Sequence, residues 1–404
     1  MTVTGTGVRL TSYEDCRDGY RSMGLRQALY DDGATLMSDV IVNLHGDAHR
    51  ARRRLENRLF RRDVFVRWER EVVPAAIRDA LRPFVAAGRA DLVPLSRRAM
   101  MTIAAAIAGV DRPEGTDEEF DALYEVMTRL SRASIVIHAT GDKQAIKSDG
   151  LAALAQFDER FFTPSLERRQ KLLADEGVDL LARCPDVLAT LLLNQDRLDL
   201  PRDTVLREVA YFPWVGSHST SNALAHTMEH IFAWLDQHPE DRSALESDPE
   251  LVQRFSHESL RLHPPSPEAL RYSLADVTLG SGRIIPAGTP VTIDVVAANR
   301  DPEVFGSTAD DFDPHRDLPE GVSPWGLAFG SGFHACLGQE LASGLAGEAG
   351  RADGAVLRGS IATMASVLLE HGARLDPNDP PALDVQTVRK HYGRFPVLLS
   401  PLAG

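Results

Sequence analysis

The chain has 404 residues, 43% hydrophobic and 6% aromatic, which is enough apolar material for a sizeable globular core. A formal net charge of −14 argues against non-specific nucleic-acid binding, and no run of about 20 apolar residues offers a membrane span. Cys16, Cys184 and Cys336 are scattered and odd in number, which is no disulfide framework and fits a reducing cytoplasm; the polar N-terminus lacks the features of a secretory leader.

Residues 11–180 read mainly as helices joined by short loops, with Ser12-Tyr13-Glu14-Asp15 as a helix start. A strongly basic stretch follows Asp47, from His49 to Arg62. Residues 151–162, 166–173 and 185–193 carry helical spacing, and Thr204 to Leu235 is the longest helical candidate. Pro213 inside it removes a hydrogen bond and predicts a kink. From Tyr272 to Val296 the pattern turns β-like, with Val277, Leu279, Ile284, Ile285, Val291, Ile293 and Val295 punctuated by glycine and proline. Residues 302–324 read as irregular coil, and a final helix and short strands near 385–400 complete the chain.

The run Phe329-Gly330-Ser331-Gly332-Phe333-His334-Ala335-Cys336-Leu337-Gly338 places one cysteine in a glycine-rich loop before a helical start. A thiolate there sits where the helix dipole and free N–H groups favour negative charge, and the glycines let the backbone approach a flat ligand. The plain alternative is a small buried cysteine in a turn. Zinc fits poorly, because no second cysteine stands at C-x-x-C spacing. A single hydrogen-bonded thiolate is one way of holding haem iron for O–O cleavage.

Phe329, the two glycines, His334 two before Cys336 and Gly338 two after it resemble the haem-binding signature of the cytochrome P450 family. That resemblance implies a mainly α fold with a minor β-sheet, one domain over residues 1–404. It places haem b between a long distal helix and the proximal Cys loop, with Cys336 as iron ligand and Phe329 and Gly338 beside it. Glu258-Ser259-Leu260-Arg261 resembles the family's K-helix and Phe312-Asp313-Pro314-His315-Arg316 its meander, so Glu258, Arg261 and Arg316 are expected to form a buried brace. His49 and Arg53 lie at i,i+4 on one helical face and match the family's H-x-x-x-R; with Arg271 and His334 they are the expected donors to the haem propionates. Arg50, Arg52 and Arg54 read as a solvated basic face suited to an acidic electron-transfer partner.

Three features depart from the family pattern. The distal helix reads Val215-Gly216-Ser217-His218-Ser219-Thr220, so His218 replaces the usual acid and Ser219 the first threonine. Gly216, His218, Ser219 and Thr220 are the candidate catalytic residues: Gly216 leaves room for O2, Ser219 keeps a hydroxyl, and His218 can relay protons. Second, His49 arrives early, which implies loss of the usual N-terminal helix and first strand pair and a smaller sheet. Third, residues 342–354 carry four glycines, each costing about 1 kcal/mol against alanine in a helix, and read as a loop insertion.

The expected activity is insertion of one oxygen atom from O2 into a small organic substrate, with electrons from a separate ferredoxin or flavodoxin and its reductase. Residues 29–42, 211–219, 266–270 and 390–392 are expected to line the pocket, with Glu268 and His391 either adding polar contacts or facing solvent. Two readings of the distal motif stay open. In one, Ser219 and water replace threonine while His218 points away. In the other, altered proton delivery supports peroxide-driven turnover, substrate-assisted oxygen activation or oxidative coupling. A haem-binding protein without turnover is the alternative from another class.

Overall fold

A computed structural model describes residues 7–179, 185–345, 351–352 and 355–400; Cys184 and residues 346–350 and 353–354 of the glycine-rich segment lie outside that set. The chain opens with strand β1 (Val8–Leu10), helix α1 (Tyr13–Arg21) and strand β2 (Leu25–Gln27). Ser12 caps α1 by accepting from the Asp15 N–H at 3.3 Å. These strands form both edges of a four-stranded sheet of order β1-β4-β3-β2, completed by β3 (Glu268–Ser273) and β4 (Pro290–Asp294). β1 runs parallel to β4 and β2 antiparallel to β3. Ahead of the His49 helix the chain thus provides helix α1, a short helix at Ala34–Met37 and both edge strands, so an N-terminal helix and strands are present where their loss was expected. Arg271 lies inside β3 rather than ahead of the β region. Val295 opens a short helix instead of extending a strand, because the Asp294 carboxylate caps it by accepting from the Ala297 N–H at 3.0 Å.

The helical body is built on α2 (Gly46–Glu56), α3 (Leu92–Ala108), α4 (Asp117–Ser134), α5 (Lys143–Phe157), α6 (Arg202–Gln237), α7 (Pro249–Leu262), α8 (Gln339–Ser343) and α9 (Gly359–Glu370). The 36 residues of α6 span about 54 Å at 1.5 Å per residue, long enough to cross the molecule. α3 is apolar on nearly every face and packs along α6, where the Ser96 hydroxyl donates to Ser221 Oγ at 2.7 Å. Pro213 does not break α6: both Pro213 and Trp214 are buried, and tertiary packing overrides the local penalty of about 3 kcal/mol.

After the Cys loop, helix α8 stops at Ser343. Gly344 (φ 71°) and Gly359 (φ 77°) then face each other so closely that a Cβ on Gly359 would lie 2.2 Å from the Gly344 nitrogen. Among the described residues between them, Arg351–Ala352 pairs antiparallel with Ala355–Val356. The junction is held by buried polar side chains. Glu69 accepts from the N–H groups of Arg358 and Gly359 at 2.9 and 3.1 Å, capping α9. The Gln253 amide reaches the Ser343 and Leu357 carbonyls, both at 3.1 Å.

Candidate active site

A cavity of about 290 Å³ lies between α6 and the Cys loop. The loop closes on itself through the Cys336 N–H, which donates to the Phe329 carbonyl at 2.9 Å. Gly332 (φ 67°) is required twice over, since a Cβ there would also lie 3.0 Å from the Arg21 Cα in α1. Cys336 is a free, exposed cysteine that lines the cavity. Burial pushes its thiol pKa up, while the Gly338 N–H and the Arg53 charge pull it down.

One side of the cavity is cationic. His49, Arg53, Arg271 and His334 all line it. Arg53 donates to the Ala335 carbonyl at 2.6 Å, which ties α2 to the Cys loop. Arg271, 4% exposed, donates to the Gln27 side chain and to the Leu270 carbonyl. The His49 and His334 rings lie 4.1 Å apart. Burial lowers both pKa values, to about 4 and about 3, so both rings are neutral at pH 7. His49 Nε2 is buried and has no hydrogen-bond partner among the described residues. Two guanidinium groups, an orphaned imidazole nitrogen and a lone sulfur make a donor set for a flat, dianionic ligand with a metal centre.

The loop is braced from behind. Arg261, 0% exposed, donates to both carboxylate oxygens of Glu258 at 2.7 and 2.6 Å, and to the carbonyls of Asn299 and Ala309 at 2.6 and 2.7 Å. Arg316 donates to the same carboxylate at 3.2 Å. Asn299 carries this cluster to the Cys loop: its amide donates to the Arg261 carbonyl at 2.9 Å, and its oxygen accepts from the Leu327 N–H at 2.7 Å.

Comparison with known proteins agrees with this geometry. The family model described as Cytochrome P450 matches residues 25–344. The chain belongs to the cytochrome P450 family. Cyclooctat-9-en-7-ol 5-monooxygenase of Streptomyces melanosporofaciens is 32% identical over 197 residues, 44% of this chain and 41% of that protein. Cyclomarin C epoxidase CymV of Salinispora arenicola is 27% identical over 259 residues, 61% of this chain and 62% of that protein. The chain thus covers less than two thirds of the length of either relative. Among solved structures, CalO2 superposes with a TM-score of 0.73 at 22% identity, covering 98% of this chain and 91% of that one. CYP109B1 from Bacillus subtilis gives 0.71 at 19%, covering 97% and 93%. The cofactor that follows from membership is haem b, and the sulfur and cation set fit it: Cys336 would hold the iron, and Arg53, Arg271, His49 and His334 the propionates.

On the distal side of this cytochrome P450, Gly216, Ser219 and Thr220 line the cavity and His218 does not. The His218 Nδ1–H donates to the Trp214 carbonyl at 2.8 Å, and burial, reinforced by the Arg97 charge, pushes its pKa down to about 3. His218 therefore stays neutral and does not line the cavity, which favours the reading in which it points away from the oxygen site. The Ser219 hydroxyl donates to the Val215 carbonyl at 2.8 Å and keeps its lone pairs toward the cavity. A Cβ on Gly216 would lie 3.2 Å from the Ala104 Cβ, so this glycine also admits the crossing of α3.

Further corrections concern the walls. Leu29, Tyr30, Ile41, Val42, Ser266, Glu268 and Ala269 line the cavity within the expected ranges, but residues 390–392 do not. His391 instead bonds the Asn222 amide at 3.2 Å and the Pro265 carbonyl at 3.0 Å. The apolar wall from Met100, Ile103, Ala104 and Ile107 was not foreseen. Its sequence signal is the all-apolar stretch of α3, which reads equally well as plain core. Arg50 and Arg54 are exposed, but Arg52 is 4% exposed and pairs with the fully buried Glu208 at 2.5 Å. Glu208 also accepts from the Ile41 N–H at 2.9 Å. The basic run hid this pair, because the partner lies 156 residues away.

Proposed function

We propose that this cytochrome P450 is a haem-thiolate monooxygenase that inserts one atom of O2 into a small, largely apolar organic substrate. The observation that carries the reading is that Cys336 and the hydroxyl-bearing stretch of α6, Ser219 and Thr220, line one cavity. Bound haem supplies an iron centre for reductive activation of O2, with the thiolate favouring O–O cleavage. Arg53 and Arg271 anchor and orient the cofactor through charge-assisted hydrogen bonds. The Glu258–Arg261–Arg316 cluster, acting through Asn299, keeps the Cys loop rigid, so the sulfur stays at one position. Ser219 Oγ, whose own proton is held by the Val215 carbonyl, offers its lone pairs to a hydrogen-bond donor in the cavity, and Thr220 offers a second hydroxyl one residue on. Leu29, Ile41, Phe60, Met100, Ile103 and Phe212 exclude water from the substrate.

The relatives named as a monooxygenase and an epoxidase support oxygen transfer as the reaction class. Electrons come from a separate ferredoxin or flavodoxin with its reductase. α2 touches the Cys loop through Arg53, and its exposed Arg54 suits an acidic partner there. The reading includes a cytoplasmic location, and no described helix is long and apolar enough to cross a membrane. The test combines two measurements on the haem-loaded protein. The reduced, carbon-monoxide-bound form should show the Soret band of thiolate ligation, and Cys336→Ala should lose it. Turnover with NADPH, ferredoxin and reductase under oxygen-18 should place label in the product. Product formed only with hydrogen peroxide, or an unlabelled product, would overturn the reading.

A further inference from the structure

The distal helix carries a polar group on the cavity wall that neither the cofactor nor the oxygen site uses. Tyr211, Val215 and Ser219 follow one another at four-residue spacing along α6, so they share one helical face, and all three line the cavity. The Tyr211 ring is held by its neighbours. Trp214, 5% exposed, meets it edge-on at 5.4 Å and 87°, and Phe212 meets it at 5.6 Å and 74°. Phe212 in turn stacks on Phe60 at 6.3 Å, and both line the same cavity. The hydroxyl at the tip of this clamped ring makes no hydrogen bond to any described residue. Unlike the Arg97 Nε, which is sealed in protein without a partner, it stays accessible from the cavity that its residue lines. The charged side chains on the wall are already committed: Arg53 and Arg271 to the propionates, and Glu268 to Arg9 at 3.4 Å. Around Tyr211 the wall is otherwise apolar, from Ile41, Val42, Met100, Ile103 and Ile107.

A phenol O–H covered by hydrocarbon alone loses its bond to water and gains nothing in return. A ligand that brings an acceptor oxygen to it avoids that loss, and one without such an oxygen does not. We propose that Tyr211 is a specificity-determining residue whose hydroxyl donates to a neutral carbonyl oxygen of the substrate, so that the enzyme takes an apolar molecule carrying a ketone or lactone group. This deepens the monooxygenase reading and rests on it. The eight-residue step from Tyr211 to Ser219 is about 12 Å along the helix axis. The carbonyl is therefore tethered two turns away from the oxygen site, and the carbon that is oxidised is one remote from it. Because Trp214 and Phe212 fix the ring beforehand, little side-chain freedom is lost on binding.

The test compares the haem-loaded native protein with Tyr211→Phe, which keeps the ring and removes only the hydroxyl. The ligands are 4-cyclohexylcyclohexanone and dicyclohexyl, the same pair of rings with and without the carbonyl, and binding is measured by equilibrium dialysis. Tyr211→Phe should weaken the ketone by about tenfold and change the hydrocarbon by less than about twofold. With NADPH, ferredoxin and reductase, the native protein should oxidise the ketone on the ring remote from the carbonyl, and the variant should spread its products over both rings. Haem content and the reduced carbon-monoxide spectrum should be the same in both proteins. Ketone binding that is unchanged in the variant, equal weakening of the two ligands, an unaltered product distribution, or loss of haem from Tyr211→Phe would each overturn the assignment. A native protein that takes up no haem would overturn the function reading instead, so the two failures are told apart.

Discussion

Replacing Arg52 by methionine separates the linear reading of the basic stretch from the folded one. A solvated arginine contributes almost nothing, and its removal should change stability by no more than about 0.5 kcal/mol. In the fold, Arg52 is 4% exposed and Glu208 0%, and the Arg52 guanidinium donates to the carboxylate at 2.5 Å. Methionine keeps most of the volume but leaves Glu208 with the Ile41 N–H alone, next to a second buried carboxyl, Glu56, whose oxygens have no partner among the described residues. Breaking such a pair on one side costs about 3–5 kcal/mol. That is a large share of a total stability of about 5–15 kcal/mol.

The loss should depend on pH in a defined direction. Burial already pushes the Glu208 pKa up to about 7, from an ordinary value of 4.5. A carboxyl raised on folding binds more protons folded than unfolded, so its contribution declines as pH rises between those two values and is level above them. Without Arg52 the folded value rises further, and the decline extends above pH 7. The deficit of Arg52→Met should therefore be larger at pH 8 than at pH 5.5. Urea unfolding followed by tryptophan fluorescence, with Arg54→Met as the exposed control, measures it. Equal midpoints for the two variants, or a deficit that shrinks at high pH, would refute the reasoning.

Two more substitutions probe the distal helix and the interrupted one. Ser219→Ala should divert reducing equivalents from product to hydrogen peroxide, whereas His218→Gln should keep the ratio of product to NADPH consumed near the native value; the opposite pattern would return the histidine to the oxygen site. Gly359→Ala meets a positive φ and backbone atoms 2.2 Å away, so it should destabilise by at least about 3 kcal/mol, and a variant of native midpoint would mean that the junction after Ser343 is built differently.

The sequence by itself determined the candidate iron ligand and the residues expected to frame it. The Cys336 loop, the Glu258–Arg261 spacing and the His49–Arg53 pair are local patterns, and short-range geometry decides what they can do: i,i+3 and i,i+4 residues share a helical face wherever that helix goes. The long distal helix was legible for the same reason, since apolar periodicity is written along one segment. What only the tertiary structure decided were questions of facing. Whether Arg52 or Arg53 turns inward, whether His218 looks into the cavity, and whether the α3 apolar run is wall or core all depend on elements more than a hundred residues away. The reach from Glu208 to Arg52, from Asn299 to Leu327 and from Glu69 to Gly359 is set by how helices and loops pack. A charged side chain carries no local mark of the partner it will meet once water is excluded, and that is why the electrostatics of the site came from the fold.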